Sequence, residues 1–192
     1  MMKECRVMRY RALAALAVGA LTALATRAAD DAVPGREFSA MFRLKDPQGE
    51  RQMGATLLLD RFTSLEEAKS LKEVLASQGQ YGLANAIRGR ANGRLRLGVM
   101  DYSLDLAVFA PTRDGFYVVV VTTRPIRFEE SQEGSDSLDY PFGVITFALD
   151  SLGRGEGRFY PKSRLLINED GTLAAQQFAE GEGRVTDVKK VR

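Results

Sequence analysis

Arg36-Glu37-Phe38-Ser39-Ala40-Met41-Phe42-Arg43-Leu44-Lys45, then Asp46-Pro47-Gln48-Gly49, then Met53 to Phe62, is the stretch on which the fold turns. Phe38, Ala40, Phe42 and Leu44 alternate with Glu37, Ser39, Arg43 and Lys45, and only Met41 breaks the polar side. A period of two puts one set of side chains on each face of a strand, so this run predicts a half-buried strand. Asp-Pro-x-Gly then makes a turn, because Pro47 fixes φ at its second position and Gly49 is free to take a positive φ. Two strand-like runs joined this way predict an antiparallel hairpin over Arg36–Lys45 and Met53–Phe62.

Immediately downstream the period changes. Ser64 with Glu67 three residues later is a capping box. Leu65, Ala68, Leu71, Val74 and Leu75 then fall at helical spacing, with Gly79 as the stop. A short second helix is expected over Gln80–Arg88, ended by Gly89. From Arg94 onward the pattern returns to strands: Arg94–Leu97 after an Asn92-Gly93 turn, Leu104 to Ala110, Phe116–Thr123, Phe142–Asp150, Gly155–Ile167, Leu173–Phe178 and Arg184–Lys190. Phe116–Thr123 is apolar on both faces and is expected to be the most buried strand. Asp114-Gly115 and Asn168-Glu169-Asp170-Gly171 read as tight turns. Roughly nine strands on short turns predict an α+β, mostly β domain: an antiparallel barrel or sandwich with a helical hairpin inserted after the second strand.

The first residues read differently. Lys3, Arg6, Arg9 and Arg11 precede an uncharged apolar run, Ala12 to Leu24, which small residues follow. That is the pattern of a secretory signal peptide, too short for a transmembrane span. Residues 1–28 are therefore expected to be removed, with cleavage after Ala25 or Ala28. Residues 29–35 are a flexible lead-in, and 36–192 form a single globular domain in the periplasm or outside the cell. Cleavage turns the formal charge of +2 into about −2, which argues against general affinity for nucleic acid. No later segment is apolar enough to anchor the product in a membrane.

Composition narrows the chemistry. The chain has no His and one Cys, Cys5, which leaves with the signal peptide. Disulfides, thiol nucleophiles, Cys/His metal sites and His-based triads are thereby excluded from the mature domain. No cofactor is expected. Asp101, Asp105, Glu129 and Asp139 are candidates for a carboxylate pair of the kind that hydrolyses glycosides. Ser103, Ser131 and Ser151 lack a His base and a Gly-x-Ser-x-Gly setting, and Pro161-Lys162-Ser163 lacks Ser-x-x-Lys spacing. Gly153-Arg154-Gly155-Glu156-Gly157 joins strands, whereas a phosphate-cradling loop opens a helix. The acidic run Glu129–Asp139 does not match the spacing of a calcium loop and reads as a solvated loop. The densest cationic cluster is Arg88, Arg90, Arg94 and Arg96, where four planar guanidiniums could grip phosphate, sulfate or carboxylate.

Thr122-Thr123-Arg124-Pro125-Ile126-Arg127-Phe128, Tyr140-Pro141-Phe142 and Gly155-Glu156-Gly157 together resemble an uncharacterised family of secreted bacterial proteins. That family shares a signal peptide, Thr-x-Arg-Pro-Ile-x-Phe, a Tyr-Pro-Phe strand entry and a Gly-x-Gly hairpin. The resemblance covers most of the mature chain and implies one secreted domain of mixed strand and helix. It implies no activity and carries over no site residue. Two functional classes are open at this level. The favoured one is a non-enzymatic module binding a small ligand or an envelope or extracellular partner. The other is a small carboxylate-dependent hydrolase acting on glycans.

Overall fold

The computed structural model describes residues 13–14, 37–47, 49–128, 139–169, 173–178 and 181–191. In chain order the elements are β1 Leu13–Ala14, β2 Glu37–Asp46, β3 Gly49–Leu59, α1 Leu65–Ile87, β4 Gly93–Leu97, β5 Met100–Leu104 and β6 Leu106–Pro111. They continue with β7 Gly115–Thr122, β8 Phe142–Asp150, β9 Arg154–Ile167, β10 Leu173–Gln177 and β11 Glu182–Lys190. Every pairing is antiparallel, and the main sheet runs β5-β4-β3-β2-β11-β9-β8-β7-β6. Its two outermost strands, β5 and β6, are separated in the chain by Asp105 alone, so the sheet curls into a nearly closed barrel. Strand β10 runs back antiparallel along the end of β9, and Leu13–Ala14 pairs with it at Gln176 and Ala175. Apart from those two residues, the expected signal peptide and lead-in lie outside the described residues.

The first hairpin forms as its sequence dictates, with Asp46 facing Gly49 and Gly49 at φ 126°. Phe38, Ala40, Phe42 and Leu44 all turn into the barrel. So do Leu57, Leu59, Leu95, Leu97 and Leu104 from the neighbouring strands. Phe rings fill the middle: Phe42 lies 5.0 Å from Phe159, Phe128 lies 5.6 Å from Phe159, and Phe38 lies 5.9 Å from Phe147. Burying each such ring contributes about 1.5–3 kcal/mol. With apolar residues inside and charged residues outside, the alternation is the inverse of a lipid-facing barrel.

Helix α1 begins with the predicted capping box, the Ser64 hydroxyl accepting from Glu67 N and the Glu67 carboxylate accepting from Ser64 N. Gly79, at φ 68° and ψ −161°, is non-helical and breaks the element where the sequence reading ends the first helix and begins the second. Leu71, Leu75, Leu83, Ala84 and Ile87 pack on the outside of the barrel against Val121, Phe142, Val144, Tyr160 and Leu165. Just past the kink, the Gln80 amide donates to Leu165 O at 2.7 Å and accepts from Leu165 N at 2.9 Å. It pairs with β9 as a strand would, at a point beyond the reach of β8.

The structure corrects two expectations. Leu104–Ala110 is not one strand, because Asp105 interrupts it where the sheet changes edge. The most continuously buried strand is β8, whose residues Phe142 to Phe147 are all buried, and not β7, whose first three residues are only half-buried. Strand β8 is enclosed by the barrel core on one face and the α1 cluster on the other, whereas Gly115, Phe116 and Tyr117 at the start of β7 are only half-buried. The turn residues Asp170 and Gly171, and Glu129 to Leu138 of the acidic run, lie outside the described residues.

Candidate functional site

Strand β4 alternates as predicted, with Leu95 and Leu97 buried and Arg94 and Arg96 exposed on the outer face. Arg96 pairs with Asp101 of β5 at 3.2 Å. Arg88 caps the end of α1 and is exposed. Arg90 is half-buried, donating to Ala86 O at 2.9 Å and pairing with Glu67 at 3.4 Å. Glu67 also pairs with Arg61 at 3.3 Å. The Ser64 backbone N–H, followed by the Arg61 guanidinium, holds the Glu67 carboxyl below its ordinary range. Two of the four candidate arginines are thus bound to carboxylates of their own fold, and only Arg88 and Arg94 stand without an ion pair among the described residues.

The carboxylates are separated in role. Asp105 is 3% exposed. Its Oδ1 accepts from Gly89 N at 2.9 Å, and its Oδ2 accepts from Thr123 N and Thr123 Oγ1, each at 2.8 Å. Its own N–H donates to Val121 O at 2.8 Å. Every contact ties the barrel seam to the end of α1 and the exit of β7, a structural task that commits both oxygens. Asp101 is an exposed partner of Arg96, Asp139 is exposed, and Glu129 lies outside the described residues. Among the described residues no group of three or more acidic side chains is arranged to hold a metal ion.

The segment Thr122–Phe128 stoppers the barrel. Ile126 N donates to Pro161 O at 2.8 Å. The Tyr102 hydroxyl accepts from Arg127 N at 2.9 Å and donates to Arg127 O at 3.2 Å. Ile126 and Phe128, 3% and 4% exposed, are thereby turned into the interior. Gly155 and Gly157 face β8 so closely that an added Cβ would stand 1.8 Å from Ala148 O and 1.9 Å from Thr146 O. Gly155 and Gly157 are therefore needed for sheet packing, and the expected strand connection over Gly153–Gly157 is corrected: Arg154 to Gly157 lie within β9, paired with β8 and β11.

The cationic feature that sequence reasoning missed lies further round the same outer face, on β2, β11 and β9. Arg43 of β2 is the cross-strand partner of Arg184 of β11, and Arg184 is the partner of Arg158 of β9. Cross-strand partners share a face, and all three are exposed on the outer one. Only Arg184 has an ion pair among the described residues, with Glu182 at 2.9 Å. That bond holds the Glu182 carboxyl below its ordinary value and raises the Arg184 guanidinium. A second register row on the same face joins Arg154, Lys189, Ser39, Thr56, Arg96 and Asp101. The missed residues come from three separate strands, so no local run of charge announces them.

No family model, no curated protein and no solved structure matches this chain.

Proposed function

We propose that the chain is an exported, non-enzymatic module that binds an envelope or extracellular partner on the outside of its barrel. The observation that carries this reading is the filled interior. Phe38, Phe42, Phe128, Phe147 and Phe159 occupy the space where a barrel would otherwise hold a ligand, and Ile126 closes over them. Recognition then falls to the exterior, where charged side chains alternate with the buried ones. The commitment of both Asp105 oxygens to the fold leaves the proposed carboxylate pair without its most buried member. Export rests on the basic and apolar pattern of residues 1–28. The family resemblance of Thr122–Phe128, Tyr140–Phe142 and Gly155–Gly157 is consistent with a secreted domain and adds no activity.

The test is to incubate the purified protein with insoluble cell-envelope glycan, sediment it, and assay the supernatant for new reducing ends. Co-sedimentation without reducing ends is the expected result. Release of reducing ends that disappears in Asp101→Asn or Asp139→Asn would replace this reading with the glycan hydrolase.

A further inference from the structure

We infer that the register row Arg158, Arg184, Arg43 is a binding site for an extended polysaccharide bearing sulfate or phosphate groups. The inference rests on the surface-binding reading above and names its ligand class. Neighbouring strands lie about 4.8 Å apart, so three adjacent guanidiniums start from points spread over about 10 Å. A single oxyanion engages one or two such forks, whereas a chain carrying repeated anions engages all of them.

The row is not what stability alone would place there. Like charges directly opposite one another on a sheet are destabilising, yet Arg43 faces Arg184 and Arg184 faces Arg158. Neither Arg43 nor Arg158 has a carboxylate partner among the described residues, while Arg184 is served by Glu182. Burial pushes the neighbouring Tyr160 phenol up despite Arg158, so that hydroxyl is neutral at physiological pH and supplies no counter-charge. Glu182, Glu156 and Glu50 offset part of this repulsion at Arg184, and an anion arriving from solution relieves what remains at Arg43 and Arg158.

The surroundings select among anions. The flanking row on one side is Glu182, Lys45 and Glu50, which alternates in sign. On the other side it is Thr186, Met41 and Gly54, with the exposed Glu156 of β9 beside them, two residues from Arg158 on the same face. The carboxylates of Glu182, Glu50 and Glu156 oppose a broad anionic plane such as a bilayer more than a narrow chain along the arginine row, which meets fewer of them. The aromatic residue beside these rows, Tyr160, is buried under α1, so no exposed ring there offers the stacking that single-stranded nucleic acid requires.

Retention of the purified protein on dextran sulfate, with uncharged dextran as reference, tests the inference. The double variant Arg43→Ser with Arg158→Ser removes the two arginines of the row that have no ion pair among the described residues. Arg88→Ser with Arg94→Ser removes the same charge elsewhere. The row variant is expected to bind about tenfold more weakly at low salt, equivalent to about 1.4 kcal/mol, and to melt at the same temperature as wild type or higher. The control pair is expected to stay within about twofold of wild type. Wild-type retention is also expected to fall with added salt, because the Debye length shrinks from about 10 Å at 0.1 M to about 3 Å at 1 M.

Equal losses in the two double variants, or capture by phosphatidylglycerol vesicles as strong as by dextran sulfate, would overturn the site. So would a drop in melting temperature confined to the row variant, which would make these arginines structural. If dextran sulfate fails to retain the wild type while envelope glycan still co-sediments it, the site falls and the surface-binding reading stands.

Discussion

Replacing Asp105 by Ala removes the acceptor that holds the barrel shut. The carboxylate is 3% exposed and receives three hydrogen bonds, from Gly89 N, Thr123 N and Thr123 Oγ1. The Thr123 hydroxyl can rotate to another acceptor or to water. The two backbone N–H groups cannot, and a buried donor left without a partner costs about 1–3 kcal/mol. A hydrogen bond to a charged acceptor contributes about 1.5–3 kcal/mol net. Part of this loss is offset, because the variant no longer buries a charge. The expected destabilisation is about 3–5 kcal/mol, which for a domain of this size lowers the melting temperature by on the order of 10 °C. Urea denaturation followed by circular dichroism measures it. Asp105→Asn should lie between the two, since its amide keeps one acceptor but turns an NH2 toward a backbone donor. Asp101→Ala is the control. Its pair with Arg96 is exposed on both sides, at 68% and 59%, and should cost under about 0.5 kcal/mol. If Asp105→Ala unfolds within about 1 kcal/mol of wild type, the seam does not depend on this carboxylate.

Three further outcomes are expected. Phe159→Ala should cost about 3–5 kcal/mol in urea unfolding, because the ring is fully buried between Phe42 and Phe128 and its loss leaves a cavity. Gly79→Ala should cost about 1 kcal/mol, even though nothing lies within 4 Å of the added Cβ, because φ of 68° strains a residue with a side chain. Glu67 has a folded-state pKa held below its ordinary value, so its stabilising contribution is present above the ordinary carboxylate range and is lost as pH falls through the lowered value. The urea midpoint should therefore drop more between pH 6 and pH 3 in wild type than in Glu67→Gln, and an equal drop would show that the Arg61 and Ser64 contacts do not act on this titration.

The sequence by itself determined the local features, because each depends on residues within one turn or one strand of each other. Alternation placed Phe38 to Leu44 inside the barrel, Ser64 and Glu67 started the helix, and Gly79 marked the kink at a backbone angle that glycine adopts freely. The exposure of Arg94 and Arg96 was legible for the same reason, through the buried Leu95 and Leu97 between them. The ion pairs of Arg96 and Arg90 were not, since Asp101 meets Arg96 only across a strand register and Glu67 meets Arg90 only when α1 folds back on itself.

Tertiary structure alone decided the rest. Asp105 looks like one polar residue in an alternating run, and it becomes the barrel seam only because β5 and β6 lie at opposite edges of one sheet. Strand β8 outranks β7 in burial because Phe142 and Val144 lie in the α1 cluster while Ile145 and Phe147 lie in the barrel core. Arg43, Arg158 and Arg184 are unremarkable in their own segments, each simply the polar partner in a two-residue period. They share a row because β11, the last strand described, inserts between β2 and β9. A register between strands distant in the chain is set by burying all their apolar faces at once, and no window of sequence contains that condition.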